Sequence, residues 1–104
     1  MAAVHIQEAA AFRLDEIYRY TRDRWGDAKA ADYIDGLFDV FTRLENHAAF
    51  SKPIPAEFGI DGFFTRYQSH IIYWRRLSDG CIGIVTVLHV RMHQIDRFRE
   101  AFDL

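Results

Sequence analysis

Cysteine occurs once in the 104 residues, at Cys81, and proline and lysine occur twice each, at Pro53, Pro55, Lys29 and Lys52. A lone cysteine excludes an intrachain disulfide framework and any cysteine-cluster zinc site, and it suits a reducing cytoplasm. The longest apolar stretch, Ile82 to Leu88, is far short of the ~20 residues that cross a bilayer, so no membrane association is expected. The opening Met1-Ala2-Ala3-Val4-His5 has no basic n-region or long apolar run, so no signal peptide is expected. A basic excess is also missing, because the formal net charge is −2. Phosphate contacts supply most of the affinity of a general nucleic-acid binder, so no direct nucleic-acid binding is expected of the chain alone.

What remains is globular in character. Half the residues are hydrophobic, 15% are aromatic and 27% are charged, values unlike those of a disordered tail or a coiled-coil rod. Residues 1–104 read as one domain. A chain of this size buries roughly 60–68% of its unfolded surface, enough for one modest core without a metal or disulfide. Charge is uneven. Residues 1–50 carry 6 basic and 9 acidic side chains, and residues 51–104 carry 7 and 6. A local basic patch is therefore compatible with the second half.

Hydrophobic periodicity sets out the elements in order. Val4 to Gln7 reads as a short strand. From Ala9 the period becomes helical, with Ala10, Leu14, Ile17, Tyr18, Thr21 and Trp25 on one stripe. Gly26 stands where a C-cap belongs and Asp27 where an N-cap belongs. Ala30, Ile34, Leu37, Phe38, Phe41 and Leu44 form a second stripe ending near Asn46. So short a link between two helices predicts an antiparallel hairpin. Gly36 costs about 1 kcal/mol of helix propensity, and close approach to the first helix is one reason to keep it.

Residues 47–62 read as a loop, since Pro53 and Pro55 oppose helix and Gly59 and Gly62 favour turns. The period is then two. Phe63–Gln68 and His70–Leu77 are strands joined tightly at Gln68-Ser69. Ser78-Asp79-Gly80 is a turn leading into Cys81–His89. Near-continuous apolar residues in that last strand predict cover on both faces. Gln94–Phe102 closes the chain as a short helix with Ile95, Phe98 and Phe102 on one stripe. The fold class is α+β: an N-terminal strand, an antiparallel helical hairpin packed on a three- to four-stranded, mainly antiparallel sheet, and a short C-terminal helix. The first strand is expected to pair with the last strand of the meander.

Catalytic sets are scarce. Ser69 and His70 are neighbours on an extended segment and point apart, so they make no nucleophile–base pair. Cys81 reads as a small buried hydrophobe. His89 and His93 have the i, i+4 spacing of metal ligands, but a strand ends between them, so no metal site is expected. If the strand continues, His89, Arg91 and His93 share a face that Arg66 or Arg75 can join. That constellation admits an RNA-cleaving reading through Arg66, His89 and Arg91, with arginine stabilising the phosphate charge of the transition state. The structural reading, favoured over it, has His89 capping the strand and Arg91 paired to a carboxylate such as Asp96. Among the aromatics, Tyr20 and Tyr33 leave the main stripes, and aromatic side chains with interleaved arginine commonly anchor interfaces.

Two stretches together resemble the ParE-type toxins of the ParE/RelE superfamily from bacterial type II toxin–antitoxin systems. One is Leu14-Asp15-Glu16-Ile17-Tyr18-Arg19-Tyr20, Arg24-Trp25-Gly26, Ala30-Ala31-Asp32-Tyr33 and Leu37. The other is Arg66, His70-Ile71-Ile72-Tyr73-Trp74-Arg75 and Ile84 through Leu88-His89-Val90-Arg91-Met92. His93 stands where the family usually has Asp, and Gln7-Glu8-Ala9-Ala10 replaces its common Ser-Pro-Ala-Ala start. The resemblance implies a cytoplasmic, non-enzymatic poison of DNA gyrase that causes growth arrest, needs no cofactor, and is neutralised by a ParD-like antitoxin in a hetero-oligomer. It leaves open the mRNA-endonuclease alternative of the RelE branch and a non-toxic, antitoxin-binding member. Under this reading Tyr18, Tyr20, Trp25 and Tyr33 are antitoxin-contact candidates, and Arg91, Arg97, Phe98, Arg99 and Phe102 are gyrase-contact candidates.

Overall fold

The structure, a computed structural model, describes residues 4–46 and 50–102. Residues 47–49 of the expected loop therefore lie outside the described part. In chain order the elements are β1 (Val4–Ile6), α1 (Glu8–Trp25), α2 (Asp27–Glu45), β2 (Lys52–Pro53), a 3-10 turn (Ala56–Phe58), β3 (Phe63–Tyr67), β4 (His70–Arg76), β5 (Ile82–His89) and α3 (Gln94–Glu100).

The strands form one mixed sheet in the order β1-β5-β4-β3-β2. β1 runs parallel to β5, with Val4, His5 and Ile6 facing Ile82, Gly83 and Ile84, while the other pairs are antiparallel. The expected pairing of the first and last strands is thus present, and the sheet has one strand more than expected. The extra strand, β2, is two residues long and sits on an edge, where a proline without an N–H is tolerated. The segment around it is also less loop-like than its prolines suggest, because Ile54 and Phe58 are buried.

Gly26 alone connects the two helices. Its φ of 94° lies in a region that side chains with a Cβ avoid. It ends α1 by donating its N–H to the Arg22 carbonyl at 2.8 Å, and its own carbonyl accepts from Ala30 at 3.1 Å to begin α2. The expected N-cap, Asp27, is instead the first residue of α2. A carboxylate there still meets the positive end of the helix dipole.

The core has two parts, one on each face of the sheet. On one face Ala10, Leu14 and Ile17 of α1 and Leu37, Val40, Phe41 and Leu44 of α2 pack on Ile72, Trp74, Ile82, Ile84 and Val87. On the other, Phe98 of α3 and Phe58 pack against Tyr73, Val85 and Leu88. Phe98 is fully buried, with ring centroids 5.2 Å from Phe58 and 5.1 Å from Tyr73. A three-layer arrangement results, and it explains why β5 is apolar throughout.

The alternation in β5 is also reset by a bulge. Trp74 faces Ile84 but Tyr73 faces Thr86, which leaves Val85 as an extra residue. As a consequence Ile84 and Val87 both face the helical hairpin.

Gly36 is needed for the sheet rather than for α1. A Cβ placed there would come within 1.9 Å of the Tyr67 hydroxyl oxygen and 2.6 Å of its Cζ. α2 thus lies against the Tyr67 ring at a point where only glycine fits.

Candidate functional site

A groove of about 1150 Å³ lies between the helical hairpin and the ends of β4 and β5. Its walls come from α1 and α2, and its floor from Tyr67, His70, Val87 and His89. The floor residues point to this side because they share the pleat face of Ile72 and Val87, which pack under the helices.

Polar groups on the floor hold one another. The Tyr33 hydroxyl and His70 Nδ1 share a 2.6 Å hydrogen bond, and Tyr33 stands edge-on to both Tyr67 and His70. His70 lies directly across the ladder from His89, ring centroids 5.2 Å apart. Burial, and secondly the neighbouring His89, push the His70 pKa down to about 4. Burial also pushes the Tyr33 hydroxyl up, against a hydrogen bond from the Ser69 backbone. His70 is therefore neutral across the physiological range.

The rim is aromatic and cationic. Tyr20 and Trp25 are each 62% exposed although both are large apolar rings. Arg24 lies over Tyr20 at 5.5 Å and Lys29 over Trp25 at 5.4 Å. Arg13, Arg19, Lys29 and Arg91 line the groove against only Glu16 and Asp32. Three of the four antitoxin-contact candidates, Tyr20, Trp25 and Tyr33, meet here, whereas Tyr18 is half-buried on α1 and does not line the groove. Trp25 has the spacing of the apolar stripe of α1, but that stripe outruns the sheet at the hairpin tip.

The nuclease constellation does not come together. Arg66 shares the face of Phe64, which packs in the α3-side core, while Tyr67 and His89 face the hairpin. Its Nε donates to the Gln68 carbonyl at 2.7 Å. β5 ends at His89, and the chain turns at Val90 and Arg91, so His89, Arg91 and His93 do not alternate along one strand. His89 Nδ1 accepts the Arg91 N–H at 3.1 Å, while Asp96 pairs with His93 at 3.0 Å, not with Arg91.

The gyrase-contact candidates divide. Arg97 and Arg99 are exposed on α3, Phe102 is half-buried and Arg91 lies on the groove. Phe98 is part of the core and presents no surface. α3 is anchored by Gln94, which accepts from the Tyr73 hydroxyl at 2.7 Å and donates to the carbonyls of His89 and Met92 at 2.8 and 2.9 Å. Burial pushes the Tyr73 hydroxyl up to about 12. Sequence reasoning missed Tyr67 and His70 as floor residues. The period-two pattern placed His70 on a strand face, but only the hairpin's seat on the sheet decides which face becomes a groove.

Comparison with known proteins points one way. Residues 4–94 match the family model described as the ParE toxin of the type II toxin–antitoxin system parDE. The chain is 30% identical over 97 residues to proteins called Toxin ParE1 from two strains of Mycobacterium tuberculosis, CDC 1551 / Oshkosh and H37Rv, an alignment covering 88% of this chain and 92% of each relative. Its fold matches a chain of a solved structure titled as a chromosomal ParDE system from P. aeruginosa, with a TM-score of 0.67 and 18% identity over 86% of this chain and 96% of that one.

Proposed function

The chain belongs to the ParE toxin family of type II toxin–antitoxin systems, and from that premise we propose that it is a non-enzymatic poison of DNA gyrase, held inactive in the cytoplasm by a cognate ParD-like antitoxin. The observation that carries the antitoxin half of the reading is the groove. At about 1150 Å³ it exceeds an ordinary small-ligand pocket. Its exposed Tyr20 and Trp25 rings and its excess of cations suit an amphipathic arm with apolar anchors and acidic flanks. Burial of those aromatics supplies affinity, and the cationic rim selects an acidic partner and speeds encounter.

Support for a non-enzymatic mode comes from the same site. Arg66 and His89 lie on opposite faces of the sheet, so no single phosphate can meet both. A histidine with a pKa of about 4 is a weak base at neutral pH, and His70 is already engaged with Tyr33. Gyrase is assigned to the surface away from the groove floor, through the exposed cations Arg97 and Arg99 of α3, with Phe102 beside them and Phe98 holding the helix in place.

A supercoiling assay with purified chain and gyrase tests this. Loss of supercoiling with accumulation of cleaved DNA, reversed by the antitoxin, is the expected result. Cleavage of mRNA in the ribosomal A site would establish the endonuclease alternative instead. Tight antitoxin binding with neither effect would establish a non-toxic binding member.

A further inference from the structure

We propose that His5, Asp79 and Cys81 form a three-ligand site for a zinc-class divalent cation where β1 meets the β4–β5 turn. One candidate ligand atom from each residue lies within 4.8 Å of the other two. Their meeting follows from the fold. β1 is parallel to β5 with His5 directly opposite Gly83, so the imidazole faces no side chain across the ladder. Cys81, two residues before Gly83, shares that pleat face. The turn, with Gly80 at a φ of 85°, folds the Asp79 carboxylate back to accept the Cys81 N–H at 2.9 Å. That bond orients the carboxylate beside the thiol, as outer-shell hydrogen bonds orient metal ligands.

The donor set is one imidazole nitrogen, one carboxylate oxygen and one sulfur. It suits a borderline-soft ion such as zinc or cobalt(II), held tetrahedrally with water in the fourth position. Bonds of about 2.0–2.3 Å put tetrahedral ligand atoms roughly 3.3–3.8 Å apart. The three groups need to close by at most about 1.0–1.5 Å, and His5 and Asp79 are exposed side chains able to make the adjustment. On binding, the thiol releases its proton to solvent and ligates as thiolate. His5 points away from Val4, which packs on the hairpin side. The ion would therefore clamp the N-terminal strand to the turn on the face opposite the groove, and the proposal is independent of the toxin reading.

Cobalt(II) titration of the purified full-length chain is the test. Expected are a thiolate-to-cobalt charge-transfer band and tetrahedral d–d bands, saturating at about one equivalent. Zinc should displace them and raise Tm. Cys81→Ser should abolish the charge-transfer band. His5→Ala and Asp79→Asn should each weaken cobalt binding by more than about tenfold, with the far-UV spectrum unchanged. Asp79→Asn keeps an acceptor for the Cys81 N–H, so its effect separates ligation from the stability of the turn. A folded wild-type chain without the charge-transfer band overturns the proposal. So does cobalt binding of equal strength in His5→Ala, which would place the ion elsewhere, for example at the exposed His93–Asp96 pair.

Discussion

Replacing Gly36 with alanine exposes two opposed effects whose magnitudes the structure lets one compare. In a helix interior alanine is favoured over glycine by roughly 0.5–1 kcal/mol. Against that, the added methyl would lie 1.9 Å from the Tyr67 oxygen, 2.6 Å from Cζ and 3.2 Å from Cε1. A tyrosine ring cannot flex to relieve three such contacts; it must swing as a unit. Overpacking of this kind costs about 1–3 kcal/mol. The packing effect wins, and Gly36→Ala should destabilise the chain by about 1 kcal/mol, lowering Tm by roughly 4–8 °C.

Tyr67→Leu removes all three offending atoms while keeping an apolar side chain. In that background Gly36→Ala should become stabilising, by about 0.5–1 kcal/mol. The sign reversal, read by urea or thermal unfolding of all four proteins in a double-mutant cycle, is the discriminating result. Equal effects in the two backgrounds, or a stabilising Gly36→Ala in the wild type, would refute the reasoning. Because Tyr67 stands edge-on to Tyr33 on the groove floor, Gly36→Ala should also weaken antitoxin binding.

Three further outcomes are expected. His70 carries a folded-state pKa of about 4 against an ordinary 6.5. The unfolded chain therefore binds this proton first, and stability that is complete above pH 6.5 is lost as pH falls towards 4. With allowance for solvent screening at this half-exposed ring, the loss at pH 5 is about 1 kcal/mol; urea midpoints at pH 7 and pH 5 should show it in the wild type and not in His70→Phe. Phe98→Ala should cost about 3–5 kcal/mol, so truncation at Met92 yields an unfolded chain by circular dichroism, whereas Arg97→Ala with Arg99→Ala should change stability by less than about 0.5 kcal/mol and abolish gyrase inhibition. Tyr20→Ala and Trp25→Ala should each weaken antitoxin binding by about 2 kcal/mol, measured by calorimetry, with Tm unchanged because both rings are largely exposed.

Much of this architecture was legible in the sequence because period and punctuation agree. The stripes of α1 and α2, the Gly26 break and the Ser78-Asp79-Gly80 turn each follow from local rules, and the structure bears them out except at Trp25 and Phe38, stripe positions that are exposed. Two kinds of feature were not legible. β2 and the 3-10 turn depend on contacts made by Ile54 and Phe58 with distant residues, and no local pattern announces them. The groove depends on where two elements end relative to each other. Trp25 has the spacing of a core residue and the exposure of a surface one, since α1 runs past the sheet beneath it. Phe98 shows the reverse error. The family resemblance makes it a surface-contact candidate, while its side chain fills the second core.

The bulge that sets Val85 aside in β5 fixes the phase of everything downstream of it. Pair the same residues without the bulge and Thr86 and Leu88 would turn towards the hairpin while Val87 and His89 rotated out to the α3 side; delete Val85 along with it and Tyr73 still faces Thr86, so Val87 and His89 keep their places. The chemical lining of the cleft is thus protected by a counting irregularity several residues away, so relatives with a single-residue gap at this point would present the same face to their partners on a regular strand.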